Sequence, residues 1–161
     1  MYGRALYDAR KCFIHQLPEK GIVLNIGGGS GEVLQLMLES KPGMQIDFVE
    51  ASDKFIALAK RKLSPELLNR VNFIHGNENS IDTEKKYNAV ISFFIVDLFP
   101  QHEADKFCMK IISHLNTNGV WLFADFVQPK NLFQKLLLKF MYRFFRIMAN
   151  IPAHKLPDYN S

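Results

Sequence analysis

Four of five consecutive positions, Gly27, Gly28, Gly29 and Gly31, are glycine, broken only by Ser30, and they follow a short apolar run, I-V-L-N-I, at 22–26. A turn of this composition has free backbone torsions and lets a ligand approach main-chain N–H groups closely. Beyond it, Val33, Leu34, Leu36, Met37 and Leu38 crowd one side of a helix. Strand, glycine turn and helix make the opening unit of a nucleotide-binding α/β sheet. The spacing narrows the ligand. A dinucleotide fingerprint G-x-G-x-x-G starting at Gly27 needs glycine at 32, where Glu32 stands. The chain carries Gly27-x-Gly29-x-Gly31 instead. A bare tight turn is the plain alternative, so the weight of the glycines depends on their surroundings.

Carboxylates are the next groups capable of chemistry. Glu50 ends an apolar segment, Q-I-D-F-V-E, 19 positions after Gly31. An acid there can accept two hydrogen bonds from vicinal ribose hydroxyls. Asp97 and Asp125 fall just past the fourth and fifth expected strands and could orient a substrate or act as base; capping a helix and closing a turn are their structural alternatives. The histidines offer less. His75 precedes Gly76 at a strand end, and His102 and His114 lie 12 apart. No histidine has a second ligand three or four residues on, so no metal is expected. Neither a Ser-His-Asp nor a Cys-His arrangement can be defended.

Those residues need elements to hold them. The periodicity predicts strands at 22–26, 45–50, 71–75, 88–95 and 120–126. Helices are expected at 2–17, after Gly31 as far as the Lys41-Pro42-Gly43 break, after an N-cap at Ser52, at 101–115 and at 130–150. Alternating strands and helices, without repeat or linker, give one domain: a mainly parallel sheet of about five strands with helices on both faces. Residues 1–20 form an N-terminal helix, 21–126 the cofactor-binding core, and 127–161 an aromatic and basic tail. Ligands of such sheets lie beyond the carboxyl ends of the strands.

The segments V-L-N-I-G-G-G-S-G, D-F-V-E-A-S, F-I-H-G-N, Y-N-A-V-I-S-F-F and L-N-T-N-G-V-W-L-F-A-D-F occur in this order across residues 20–126. They resemble the successive motifs of the class I S-adenosylmethionine-dependent methyltransferases. That resemblance implies a Rossmann-like, doubly wound sheet in the strand order 3-2-1-4-5, S-adenosyl-L-methionine as cofactor and methyl transfer, with a small molecule as acceptor. It implies that Gly27, Gly28, Gly29 and Gly31, with Asn25 before them, hold the methionine part. Glu50, followed by Ala51 and Ser52, would hold the ribose, Gly76, Asn77 and Glu78 the adenine, and Phe93 and Phe94 would flank the ring and sulfonium. Two positions depart from the family pattern. Asn25 and Asn77 stand where acids are usual, and an amide keeps the acceptor oxygen without the charge that strengthens it. These departures motivate an alternative, a catalytically inactive module that binds a partner or membrane surface. The family also continues past the fifth strand into an antiparallel hairpin, which is expected to be absent here.

Composition sets the outer bounds. Of 161 residues, 48% are hydrophobic and 22% charged, as in soluble globular domains. Cys12 and Cys108 lie far apart and are expected to be reduced and buried. Neither a signal peptide nor a membrane-spanning run is legible, so a cytoplasmic location is expected. The net charge of +4 is uneven: 14 basic residues meet 15 acidic ones over 1–129, while 130–161 carries six against Asp158. The 130–150 helix sets a basic stripe beside many Phe, Leu and Met residues. That pattern suits a homodimer contact through it and the fifth strand's edge, or peripheral membrane contact, better than specific nucleic-acid binding.

Overall fold

The structure is a computed structural model that describes residues 13–96 and 99–124. Five strands form one sheet: β1 (Lys20–Ile26), β2 (Gly43–Glu50), β3 (Val71–His75), β4 (Tyr87–Phe93) and β5 (Leu115–Ala124). Their order is β3-β2-β1-β4-β5, and every neighbouring pair is parallel. The switch in strand order falls between β1 and β4, where the glycine turn leaves β1.

The helices cover both faces. α1 (Leu34–Ser40) and α2 (Asp53–Arg61), with the short α3 (Pro65–Leu68), pack on one side, where Leu34, Met37, Leu38 and Ala59 meet Val23, Ile46, Phe48 and Ile91. α4 (Gln101–Ser113) packs on the other, where Phe107 and Ile111 meet Leu24, Ile26, Val49, Tyr87 and Val90. Alternate residues of β1 therefore feed two separate cores. A central parallel strand must be apolar on both faces for this reason.

Most expected elements are present, with boundaries moved for identifiable reasons. Only a 3-10 turn, Ile14–Gln16, is described of the 2–17 helix, and Leu17 is already extended. β4 stops at Phe93 because Phe94 adopts φ 59°. The helix expected to reach residue 115 ends at Ser113, and Leu115 begins β5. The Asn118-Gly119 signal is a bulge and not a turn. Leu115 pairs with Tyr87 and Val120 with Ala89, so several β5 residues oppose one of β4. Cys108 is free and half-buried, not fully buried as expected. Cys12, Asp97, Asp125 and the 130–150 helix lie outside the described residues. Among the described residues, no helix is long and apolar enough to cross a membrane.

Candidate functional site

The carboxyl ends of β1, β2 and β3 converge on Glu50. Its Oε2 accepts from the N–H of Gly29 at 2.8 Å, and its Oε1 accepts from the N–H of Ser52 at 2.9 Å. Its own carbonyl accepts from the N–H of Gly76 at 3.0 Å. One residue thus ties the glycine turn to the start of α2 and to the end of β3. Glu50 is only 6% exposed, and burial pushes its carboxyl above the usual range, while the N–H groups of Gly29, Ser52 and Ala51 and the charge of nearby His75 pull the other way.

Each glycine of the turn meets a different constraint. Gly27, Gly29 and Gly31 have φ of 65°, 58° and 69°, which side chains rarely adopt. A methyl at Gly28 would stand 2.2 Å from the buried ring of Phe48, and one at Gly31 would stand 2.7 Å from Cβ of Ala59. Gly29 differs, because a methyl there would meet nothing within 4 Å. The turn is packed tightly on its protein side and opens to a free space at Gly29, beside the Glu50 carboxylate.

Asn25, the last polar residue of β1 before that turn, is 6% exposed. Its side chain makes no hydrogen bond to any of the described residues. An amide left unpaired in the interior costs about 1–3 kcal/mol. An arrangement of this kind is stable in a site that supplies a partner of its own.

Two expected positions have further roles. Asn77 Oδ1 accepts from the N–H of Asn79 at 2.9 Å and closes a capping box with Ser80 around the 3-10 turn Glu78–Ser80. The Asn-x-x-Ser spacing was the available signal for this cap. Phe93 packs against Phe13 at 5.4 Å between ring centroids and belongs in part to the α1 side of the core. Phe94 holds a left-handed backbone, and its N–H donates to the carbonyl of Ala124 at 2.7 Å, joining the ends of β4 and β5. Such a conformation in a non-glycine residue costs on the order of 1–3 kcal/mol and concentrates at functional sites. Nothing in the sequence signals it.

His75, given little weight from the sequence, is closely engaged. Its Nε2 lies 3.0 Å from the carbonyl oxygen of Ala51 and its Nδ1 3.2 Å from Oδ1 of Asp53. The signal that could have found it is register, since His75 pairs directly with Glu50 across the β2–β3 ladder.

The profile of a family described as a methyltransferase domain matches residues 23–119, more than half of the chain. The chain belongs to this methyltransferase-domain family. Among the curated relatives of this methyltransferase-family chain, a malonyl-[acyl-carrier protein] O-methyltransferase of Priestia megaterium is 30% identical over 132 residues, covering 76% of this chain and 46% of the relative. A polyamine aminopropyltransferase of Methanocaldococcus jannaschii is 39% identical over 85 residues, covering 49% of this chain and 28% of that protein. The chain therefore spans less than half the length of these relatives. A glycopeptide N-methyltransferase complexed with S-adenosyl-L-methionine shares the fold, with a TM-score of 0.61 at 17% identity over 73% of this chain and 53% of that one.

Proposed function

We propose that this domain binds S-adenosyl-L-methionine at the carboxyl ends of β1 to β4 and transfers its methyl group to a small molecule, free or carried on another protein. The observation that carries this reading is the Glu50 carboxylate, buried yet held at both oxygens by main-chain N–H groups of the glycine turn and of Ser52. Held in this way it keeps lone pairs for two ribose hydroxyls. The surrounding residues fit the same ligand. The space at Gly29 leaves room beside the carboxylate, and the buried amide of Asn25 has a donor and an acceptor to give. Asn77 keeps a second lone pair on Oδ1 and, among the described residues, an amide nitrogen without a partner, compatible with an adenine edge.

When bound, S-adenosyl-L-methionine supplies an electrophilic methyl on a sulfonium. The chain's own part is then to align the acceptor and, where the nucleophile needs it, to take its proton. Asp97 and Asp125 are proposed for that part from their places past β4 and β5, with Phe93 and Phe94 bordering the crevice. The malonyl-[acyl-carrier protein] relative favours an oxygen nucleophile as the first acceptor to try. As a finer reading of its partners, the β5 edge and segment 130–150 are proposed as a homodimer contact.

Calorimetry with S-adenosylhomocysteine tests the reading. Binding with thermal stabilisation is expected, and Glu50→Ala should weaken it by about 1.5–3 kcal/mol, the range for hydrogen bonds to a charged group. Neither heat nor stabilisation at millimolar ligand would sink the enzyme reading. An affinity for Glu50→Ala within twofold of wild type would show that the ribose is held elsewhere.

A further inference from the structure

His75 stands between two acceptors, the Ala51 carbonyl at Nε2 and the Asp53 carboxylate at Nδ1. A neutral imidazole has one N–H and one lone pair, so it can satisfy only one of them. The imidazolium donates to both. These acceptors flank Ser52, whose N–H holds Oε1 of Glu50, and His75 itself pairs with Glu50 across the ladder. Two acidic groups act on the ring, Glu50 from the end of β2 and Asp53 from the first turn of α2.

We propose that His75 is a positioning residue whose doubly protonated ring clamps the corner from Ala51 to Asp53 and so fixes the Glu50 carboxylate for the ribose. The proposal rests on reading Glu50 as the ribose acceptor. When the ring loses its second proton, one of the two contacts turns into a lone pair facing an oxygen. The corner loosens, and the N–H of Ser52 holds Glu50 less firmly. Ligand affinity should therefore fall as pH rises.

The test is S-adenosylhomocysteine affinity by calorimetry from about pH 5.5 to about pH 8.5, the range in which histidine changes charge. Wild type should weaken about threefold to tenfold across it, the worth of one net hydrogen bond. His75→Gln, with no titrating proton, should be flat and resemble wild type at the alkaline end. Asp53→Asn should be flat but strong, because its amide can donate to the lone pair of a neutral ring while the other ring N–H still serves Ala51. If His75→Gln does not fold, Asp53→Asn alone makes the comparison. A wild-type affinity constant over the range, or a decline that persists in His75→Gln or Asp53→Asn, overturns the clamp. A second readout needs no ligand. In the free protein the Ser52 amide resonance should move with the ionisation of the His75 ring, and a Ser52 amide indifferent to it also overturns the clamp. Absent binding at every pH, with a Ser52 amide that still follows His75, would refute the ribose reading and leave the clamp standing.

Discussion

Glu50 is held by opposing influences, and their balance can be measured without any ligand. Burial favours the protonated form more than the N–H groups of Gly29, Ser52 and Ala51 favour the carboxylate, so its pKa lies above the ordinary 4.5. An acid raised in the folded state contributes stability that is complete below its unfolded pKa and is lost as pH rises through the folded one. The unliganded wild type should therefore lose stability relative to Glu50→Gln as pH rises from the ordinary carboxylate range through the raised folded-state pKa. Urea denaturation of both proteins at each pH checks this, and a difference that does not change with pH would mean that the carboxylate stays hydrated. The position of Glu50 was legible because burying an acid at the end of an apolar strand is costly unless donors meet it there. The capping role of Asn77 was also written in the chain, in its spacing to Ser80. The left-handed backbone of Phe94 was not, because two phenylalanines at a strand end look like more strand.

Arg70 shows how one side chain can fix a junction between elements. Its guanidinium donates to the carbonyls of Leu38 at 2.9 Å, Lys41 at 2.6 Å and Met44 at 3.0 Å. Those carbonyls lie where α1 ends and β2 begins, and the last carbonyls of a helix otherwise lack partners. Arg70→Ala should cost about 2–4 kcal/mol of unfolding free energy, and Arg70→Lys should recover only part, since an ammonium cannot reproduce the planar fork. Chemical denaturation decides it; a loss below about 0.5 kcal/mol would mean that water replaces the guanidinium. The sequence could not announce this contact, because Arg70 lies about thirty residues from its partners and reads as an ordinary surface charge. The strands were legible for the opposite reason. Their signal is local, an apolar run bounded by glycine, proline or asparagine, and 71–75 was placed to the residue. The register shift in β5 escaped because it depends on how Tyr87 and Ala89 are opposed across the sheet.

At the scale of the whole molecule, the alternation of strands and helices was enough to make the sheet mainly parallel, because parallel crossovers have one hand and short connections, while its strand order came only with the family resemblance. What covers its edges was beyond such reasoning. Among the described residues β5 has one neighbour, β4, and Val120 and Phe123 on it are 39% and 44% exposed. Met109 and Ile112 of α4 are also exposed. An unpaired apolar strand edge is a template for another strand, and proteins that leave one bare usually place charge on it. Trp121 is tied to β4 by its Nε1–H bond to Ser92 Oγ at 2.8 Å. Self-association through this edge is therefore expected, and light scattering in dilute, detergent-free buffer should report a dimer. Val120→Lys sets a charge in the middle of the edge and should shift the equilibrium to monomer by about tenfold or more, without lowering thermal stability measurably, since the residue is not core. Phe123→Lys should act in the same direction. A monomeric wild type at about 100 μM, above the range of a weak homodimer of micromolar affinity, would show that the edge is satisfied within the chain itself. Segment 130–150, with its phenylalanines at 133, 140, 144 and 145, would then be the place to look. Phe140→Glu would in that case destabilise the monomer, whereas in a dimer it should lower association first.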